Sequence, residues 1–185
     1  MTAKKEFRIV DFGAGTGCLG ISTALELQKK FPELKIGLTL VEKSHEAFSY
    51  LEKNVEKHLG HHVSIVVSTI NQDWNEYAKR HDRFDVLLSN PPYLSEAEFQ
   101  SIEEGVKNFE PKTALVPAND PRGISSYLEL LEIGAAAGAK LMAFELGTFQ
   151  APLLLAVIRD QYKNFSGSIE KDMSGKPRFL IAKLV

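Results

Sequence analysis

The apolar residues along the chain follow two spacing patterns, which occur in alternating segments. Short apolar runs, typical of buried strands, are separated by longer segments in which apolar residues recur every three or four positions, as on the inner face of a helix. The predicted strands are Phe7–Val10, Ile36–Val41, Val63–Val67, Phe84–Ser89 and Leu141–Leu146, followed by a hairpin of Ser168–Lys171 and Arg178–Lys183. The predicted helices are Cys18–Phe31, Ser44–Leu59, Asp73–Arg80, Gly123–Gly138 and Ala151–Tyr162. Strands separated by helices predict an α/β fold with a mostly parallel sheet of seven strands, closed by a C-terminal antiparallel hairpin.

Composition and charge narrow the class of protein. The chain has 185 residues and is 44% hydrophobic, which predicts one domain with a substantial core. A net charge of −2 predicts no strong general attraction to nucleic acid phosphates, with a local basic patch as the alternative. The single cysteine excludes an internal disulfide, and the adjacent His61 and His62 would point apart on a strand, so no metal site is expected. Without a membrane-spanning run or a signal peptide, a cytoplasmic protein is expected, with an organellar location as the alternative.

A proline-rich turn, Asn90-Pro91-Pro92-Tyr93, directly follows the predicted strand Phe84–Ser89. Prolines cannot donate to a sheet ladder, so Asn90 is expected at the carboxyl end of the strand, where ligands bind in open α/β sheets. The Asn90 side-chain oxygen and the Pro91 carbonyl could each accept one hydrogen bond from a planar NH2 group, while Tyr93 covers its flat face. A turn that merely ends the strand is the alternative. The irregular stretch that follows, Pro91–Arg122, is predicted to be helical near Glu96–Val106 and to face the substrate.

A glycine-rich loop, Gly13-Ala14-Gly15-Thr16-Gly17, joins the first strand and Asp11 to the first helix. Alternate glycines allow the main chain to turn tightly and to approach a ligand closely. The helix that follows presents free N–H groups and the positive end of its dipole. The G-x-G-x-G spacing differs from the G-x-G-x-x-G of dinucleotide binders, which disfavours a nicotinamide-dependent enzyme. A simple strand-to-helix turn is the alternative.

Two carboxylates follow the next two strands. Glu42 comes after Ile36–Val41 and could accept hydrogen bonds from both hydroxyls of a ribose. Asp73 comes after the third strand and could accept a hydrogen bond from the amine of adenine. A solvated charge for Glu42 and a helix cap for Asp73 are the alternatives. Because the ends of parallel strands meet at one edge of a sheet, their common placement predicts a nucleoside site there.

Five motifs extend these observations over nearly the whole chain. They are Asp11–Gly17, Asn90–Tyr93, Phe109-Glu110-Pro111 with Thr113-Ala114-Leu115, Glu145-Leu146-Gly147 with Gln150, and Asp172-Met173-Ser174-Gly175-Lys176-Pro177-Arg178. In this order they resemble the HemK/PrmC family, the protein glutamine methyltransferases that modify peptide-chain release factors. The resemblance implies a Rossmann-like, class I S-adenosylmethionine-dependent methyltransferase.

The resemblance also implies a role for each site residue. The residues expected to line the S-adenosylmethionine pocket are Asp11, Gly13, Ala14, Gly15, Gly17 and Asn90. Glu42 stands where the family has an acidic ribose ligand, and Asp73 where it has an adenine contact. The expected catalytic residues are Asn90 and Pro91, which would hold the amide of the Gly-Gly-Gln glutamine, and Tyr93, which would pack beside it. The Asp172–Arg178 motif matches the family without an assigned catalytic role.

The resemblance implies a domain organisation as well. Family members usually carry an N-terminal helical domain and a linker with a P-R-x-E-T-like motif, and neither occurs in this sequence. We therefore expect residues 1–185 to be a single catalytic domain, monomeric, with a release factor as its protein partner and no membrane partner.

Two other functions fit parts of the pattern. An asparagine-proline-proline-tyrosine turn also suits the exocyclic amine of adenine in nucleic acid, with a flipped base stacked on Tyr93. The acidic balance and the Phe109-Glu110-Pro111 motif favour the protein substrate over this alternative. A module that binds the cofactor without catalysis is the second alternative.

Overall fold

The computed structural model describes residues 6–94, 96–101, 112–116, 120, 122–147 and 149–185. The Phe109-Glu110-Pro111 motif and residues 102–106 of the predicted helix at Glu96–Val106 lie outside this part of the chain. The strands are β1 (Phe7–Phe12), β2 (Ile36–Val41), β3 (Ile65–Ile70), β4 (Val86–Ser89), β5 (Leu141–Glu145), β6 (Phe165–Lys171) and β7 (Pro177–Leu184). The helices are α1 (Cys18–Lys30), α2 (His45–Leu59), α3 (Trp74–Ala78), α4 (Glu96–Ser101), α5 (Lys112–Leu115), α6 (Ser125–Ala137) and α7 (Ala151–Gln161).

The seven strands found among the described residues form one sheet in the order β3-β2-β1-β4-β5-β7-β6. The chain divides into two compact units, Met1–Ser89 with Ala137–Lys140 and Asn90–Ala136 with Leu141–Val185. The first unit contains the strands that pair in parallel, and the second contains the antiparallel hairpin. The mixed seven-stranded sheet predicted from the sequence is therefore confirmed.

The first unit is built on parallel strands with helical connections. β1 pairs with β2 from Phe7↔Ile36 to Phe12↔Val41, and with β4 from Ile9↔Val86 to Phe12↔Ser89. The carboxyl ends of these strands are therefore level with one another. The Phe12 ring is fully buried and contacts the rings of Tyr77 and Phe84 edge-to-face, with centroids 5.6 and 6.1 Å apart.

The second unit packs two helices and a hairpin around its own core. β5 pairs antiparallel with β7 from Leu141↔Lys183 to Glu145↔Phe179, and β7 pairs antiparallel with β6. Helix α6 begins where the Asp120 carboxylate accepts hydrogen bonds from the N–H groups of Ile124 and Ser125, at 2.5 Å each. The buried core includes Tyr127, Leu130, Leu131, Met142, Phe144, Leu154, Ile158 and Leu180.

Several predicted boundaries are wrong for identifiable reasons. The third strand is predicted at Val63–Val67, but residues 60–64 form a turn after α2, Val63 is 98% exposed, and β3 begins at Ile65. His61 and His62 lie in this turn rather than on a strand. An exposed apolar residue mimics a core position in the sequence, because periodicity does not distinguish a valine in water from a buried one.

Helix α3 is shorter than the predicted Asp73–Arg80. Asp73 caps it, and turns after Ala78 lead to His81, which has a positive φ of 56°. The terminal strands β6 and β7 are longer than predicted, because main-chain pairing begins already at Phe165↔Leu184. Within the described segments, no helix is both long and apolar enough to span a bilayer.

Candidate functional site

The loop between β1 and α1 makes the tight turn that its glycines predict. Gly13, Gly15 and Gly17 have positive φ angles of 67°, 57° and 87°, a region that favours glycine. The N–H groups of Gly13 and Ala14 donate to the Val41 carbonyl at 2.9 and 3.1 Å. The loop therefore curls over the carboxyl end of β2.

Two of these glycines face different surroundings. A Cβ atom at Gly17 would lie 2.9 Å from Cδ1 of Ile21, so the end of that side chain would have to shift, and the φ of 87° is the stronger reason for glycine here. A Cβ atom at Gly15 would have no other heavy atom within 4 Å. The main chain at Gly15 therefore has an open side that a ligand can approach.

Glu42 lies beneath this loop, with only 7% of its surface exposed. One carboxylate oxygen accepts a hydrogen bond from the N–H of Gly15 at 2.8 Å, and the other accepts from the N–H of Ser44 at 2.6 Å. The carboxylate thus links the glycine loop to the start of α2 by hydrogen bonds. Its burial excludes the solvated-charge alternative. Contact with a ribose stays a prediction, and it is chemically compatible because each carboxylate oxygen can accept a second hydrogen bond.

Asp11 is fully buried at the end of β1. Its Oδ2 accepts a hydrogen bond from the N–H of Gly20 at 2.8 Å, which ties the strand to the first turns of α1. Burial raises the pKa of Asp11 to about 7, with the Gly20 N–H opposing the shift and the charge of Glu42 adding to it. A Cβ atom at Gly20 would lie 2.5 Å from Leu40 and 3.0 Å from Asp11 Oδ2, so the close approach requires glycine. Asp11 therefore lies below the glycine loop and stabilises the packing of β1 against α1.

Asp73 caps the N-terminus of helix α3, which is the alternative role predicted from its position in the sequence. Its side chain accepts a hydrogen bond from the N–H of Asn75 at 2.9 Å, and the Lys43 ammonium lies 4.0 Å from its second oxygen. The side chain remains 38% exposed, so the adenine contact stays a prediction. The next residue, Trp74, lies against the glycine loop, because a Cβ atom at Gly13 would be 3.4 Å from its ring. Asp73 and the loop therefore belong to one cluster of strand ends.

Two asparagines stabilise this cluster by side-chain hydrogen bonds that no sequence motif predicts. Asn54 Nδ2 donates to the Thr16 carbonyl at 2.9 Å, and Asn71 Nδ2 donates to the Glu42 carbonyl at 2.8 Å. Each contact joins residues far apart in the chain. Only the fold brings them together.

Asn90 is exposed and directly follows Ser89, which is fully buried at the end of β4. The Ser89 hydroxyl donates to the Phe12 carbonyl at 2.6 Å, which fixes the end of β4 beside the end of β1. Pro91 is buried, whereas Pro92 and Tyr93 are half-buried. The strand therefore ends as predicted, with the Asn90 side chain at the surface.

The far end of the proline turn is held by main-chain contacts. The N–H groups of Tyr93 and Leu94 both donate to the Leu115 carbonyl, at 3.1 and 2.8 Å. Gln150 is 2% exposed, and its Nε2 donates to the Tyr93 carbonyl at 2.8 Å. Gly123, with φ of 63°, lies directly against the same carbonyl. A side chain at Gly123 would displace the turn, so the site depends on residues from several later segments.

A family model described as methyltransferase small domain matches residues 1–108 of this sequence. The matched region includes the glycine loop, Glu42, Asp73 and the proline turn. The chain belongs to the methyltransferase small domain family. This membership confirms the prediction that the protein is a methyltransferase and, with it, S-adenosylmethionine as the cofactor.

Relatives of this methyltransferase domain carry a more specific name. Proteins from Enterococcus faecalis and Bacteroides thetaiotaomicron, both named release factor glutamine methyltransferase, are 30% and 32% identical to it over 95% of its length. They confirm the resemblance stated from the five motifs. The chain spans 59% of the length of each.

Solved methyltransferase structures share the fold. The catalytic domain of human METTL16 in complex with an RNA hairpin matches 96% of this chain and 63% of its own, with a TM-score of 0.65 and 16% identity. A protein described as a class I S-adenosylmethionine-dependent methyltransferase from Listeria monocytogenes matches 100% of this chain and 55% of its own, with a TM-score of 0.58 and 18% identity. The predicted Rossmann-like, class I methyltransferase fold is therefore confirmed.

The cluster of strand ends in the first unit fits S-adenosylmethionine chemically. The open side of Gly15 admits a ligand to the main chain, and the carboxylates of Glu42 and Asp73 can accept hydrogen bonds from the hydroxyls and the amine of an adenosine. The glycine loop, Glu42 and Asp73 are the residues that would hold the cofactor.

Proposed function

We propose that this methyltransferase transfers a methyl group from S-adenosylmethionine to the side-chain amide nitrogen of a glutamine, within the Gly-Gly-Gln segment of a peptide-chain release factor. The observation that carries the proposal is the proline turn, in which an exposed asparagine directly follows the buried end of β4. The names of the relatives from E. faecalis and B. thetaiotaomicron support the same substrate.

The turn offers two acceptors to the substrate. A carboxamide nitrogen is a poor nucleophile, because its lone pair is delocalised into the carbonyl. The Asn90 Oδ1 and the Pro91 carbonyl each accept one N–H of the substrate amide, which fixes the nitrogen in one orientation. The two oxygens also stabilise the positive charge that develops on the nitrogen as the new bond forms.

The cofactor supplies a methyl group bonded to a positively charged sulfur, which is a strong electrophile. The new nitrogen–carbon bond forms as the carbon–sulfur bond breaks, and the sulfur keeps the bonding electron pair. The methylated nitrogen is strongly acidic and loses a proton to water, so no strong general base is required. The protein therefore contributes binding and orientation, which Glu42 and the glycine loop provide for one reactant and Asn90 and Pro91 for the other.

The direct test is methyl transfer from labelled S-adenosylmethionine to a purified release factor and to its Gly-Gly-Gln→Gly-Gly-Ala variant. We expect label on the first and none on the second. Equal label on both would exclude the proposed glutamine. Cofactor binding measured by calorimetry without any transfer would instead favour a binding module.

A nucleic acid substrate is the second candidate, because the METTL16 domain that shares this fold is solved with an RNA hairpin. That likeness is one of fold, at 16% identity, and the net charge of −2 does not favour a phosphate backbone. Adding adenine-containing RNA and DNA oligonucleotides to the same assay separates the two. Transfer to an oligonucleotide but not to the release factor would refute the proposed function.

A further inference from the structure

Gln150 is a buried residue directly before α7, with no role in the proposed reaction so far. Only 2% of its surface is exposed. Its Nε2 donates to the Tyr93 carbonyl at 2.8 Å, whereas its Oε1 is buried and has no hydrogen-bond partner among the residues that the structure describes. The Tyr93 contact therefore fixes the orientation of the amide, because the reverse orientation would bring two acceptor oxygens together.

Two glycines make room for this contact. Gly123 lies directly against the Tyr93 carbonyl, and a Cβ atom at Gly123 would be 3.1 Å from Gln150 Nε2. A Cβ atom at Gly147 would be 2.5 Å from Gln150 Oε1 and 3.1 Å from Cδ2 of the Tyr93 ring. The amide of Gln150 and the ring of Tyr93 therefore both pack against the main chain of Gly147.

Both polar main-chain groups of Tyr93 have a partner. Its N–H donates to the Leu115 carbonyl at 3.1 Å, and its carbonyl accepts from Gln150. The N–H of Leu94, which belongs to the same peptide as the Tyr93 carbonyl, donates to the Leu115 carbonyl at 2.8 Å. The peptide that joins Tyr93 to Leu94 is thus held at both ends, and the Gln150 side chain holds one of them.

The two prolines pass this constraint on to the proposed substrate acceptor. The ring of Pro92 fixes its φ angle, so one free main-chain angle, the ψ of Pro92, lies between the Pro91 carbonyl and the peptide that carries the Tyr93 N–H. Loss of the Gln150 contact would free the φ and ψ angles of Tyr93. The turn could then leave the orientation in which it meets a substrate.

We propose that Gln150 is a positioning residue that acts through the Tyr93 carbonyl and holds the proline turn in the conformation that presents the Pro91 carbonyl and the Tyr93 ring to the substrate amide. This inference deepens the proposed function and rests on it. A glutamine suits the task because its amide is a donor without a charge. An ionised glutamate would turn a second oxygen toward the carbonyl, and a methionine of similar length has no donor.

Gln150→Met tests this role in the methyl-transfer assay. We expect kcat for the release factor to fall about tenfold, the order expected when a lost hydrogen bond leaves a buried carbonyl unpaired. The Kd of S-adenosylmethionine should stay the same, because the residues proposed to hold it lie in the first unit. The urea midpoint should change little, since the substitution removes the unpaired Oε1 together with the donor. A normal kcat per folded molecule would overturn the positioning role.

Gln28→Met is the matched control. Nε2 of Gln28 donates to the Pro32 carbonyl at 2.6 Å, and its Oε1 is likewise buried without a partner among the described residues. Gln28 lies in the last turn of α1, so this variant loses the same kind of contact outside the proline turn. Its kcat should equal that of the wild type. A tenfold loss here as well would overturn the role, because the effect would not be specific to the turn.

Gln150→Glu adds a pH profile that a merely structural role would not produce. The neutral carboxyl can donate its O–H to the Tyr93 carbonyl, whereas the ionised form cannot, and burial raises the pKa of such a carboxyl. The ratio of the kcat of Gln150→Glu to that of the wild type should therefore rise as the pH falls. The ionisable side chains on neighbouring elements of this unit are Tyr127, Glu145, Asp172 and Arg178. They are the same in both proteins, so the ratio isolates the new carboxyl, and a ratio independent of pH would refute the role.

A further measurement needs no substrate. The carbonyl 13C signal of Tyr93, selected by labelling tyrosine carbonyls and leucine nitrogens and assigned with Tyr93→Phe, reports the hydrogen bond to this carbonyl. It should move in Gln150→Met and stay in place in Gln28→Met. An unmoved signal in Gln150→Met would refute the contact even in an active enzyme. A moved signal in a protein that methylates no release factor would refute the proposed substrate while leaving Gln150 as the residue that holds the turn.

Discussion

The fully buried Asp11 makes the stability of this domain depend on pH in an unusual direction. Buried carboxylates that are paired with cations stabilise a fold above their pKa, but Asp11 lies beside the negative Glu42 and accepts a hydrogen bond from Gly20. Its pKa is raised from 3.8 to about 7. The folded chain therefore holds this proton more tightly than the unfolded chain, so its stabilising contribution is complete below pH 3.8 and is lost as the pH rises to about 7.

The size of the effect follows from the shift. Each pH unit corresponds to about 1.4 kcal/mol, so a shift of about three units amounts to about 4 kcal/mol, of which about 3 kcal/mol falls between pH 4.5 and pH 8. Asp11→Asn removes the titration but keeps an oxygen that can accept from the N–H of Gly20. Relative to the wild type, this variant should therefore gain about 3 kcal/mol of unfolding free energy across that pH range.

Urea unfolding of both proteins at a series of pH values measures this difference. Groups other than Asp11 titrate in both proteins, so their contributions cancel. Glu42→Gln provides an internal check, because removing its charge should lower the Asp11 pKa and flatten the pH dependence of the remaining carboxyl. A difference between wild type and Asp11→Asn that stays constant from pH 4.5 to pH 8 would refute the reasoning.

Three further substitutions test the site. Gly15→Ala should cost about 1 kcal/mol of stability because of the positive φ at this position. It should also weaken S-adenosylmethionine binding measured by calorimetry, because the new methyl group occupies the open side of the loop. An unchanged affinity would mean that the ligand binds elsewhere. Gly20→Ala should destabilise the fold by about 1–3 kcal/mol in urea unfolding through its clash with Leu40, and a neutral result would mean that α1 moves freely away from the sheet. Asn90→Ala should lower the rate of methyl transfer roughly ten- to a thousandfold and leave cofactor affinity nearly intact. The control Asn164→Ala, at an exposed position outside the turn, should have no effect. A normal rate in Asn90→Ala would remove this residue from the mechanism.

Much of the site follows from signals that lie close together in the sequence. The glycine spacing predicts a turn with positive φ angles, and Gly13, Gly15 and Gly17 have them. Two prolines after an apolar run predict the end of β4, and Asn90 is exposed there. These predictions succeed because each depends on main-chain geometry within a few residues.

Other predictions miss or understate what the residues do. The place of Glu42 after a strand predicts a ribose contact, and its carboxylate in addition accepts hydrogen bonds from the N–H groups of Gly15 and Ser44. Gln150 belongs to a recognisable motif, but its contact with the Tyr93 carbonyl joins positions 57 residues apart. No local pattern reports such pairs, because they arise only when separate segments pack together.

The sequence by itself determined the alternation of strands and helices, the two turns that carry the proposed chemistry, and the family to which the motifs belong. Local propensity, proline and glycine constraints, and periodicity are enough for the elements and the turns, whereas the family follows from the resemblance of the motifs. Only the tertiary structure decided that Asp11 is buried beside Glu42, that β3 begins at Ile65, and that Gln150 binds the Tyr93 carbonyl. Burial and long-range contact depend on which surfaces the folded chain removes from water, and that is a property of the whole fold rather than of any segment.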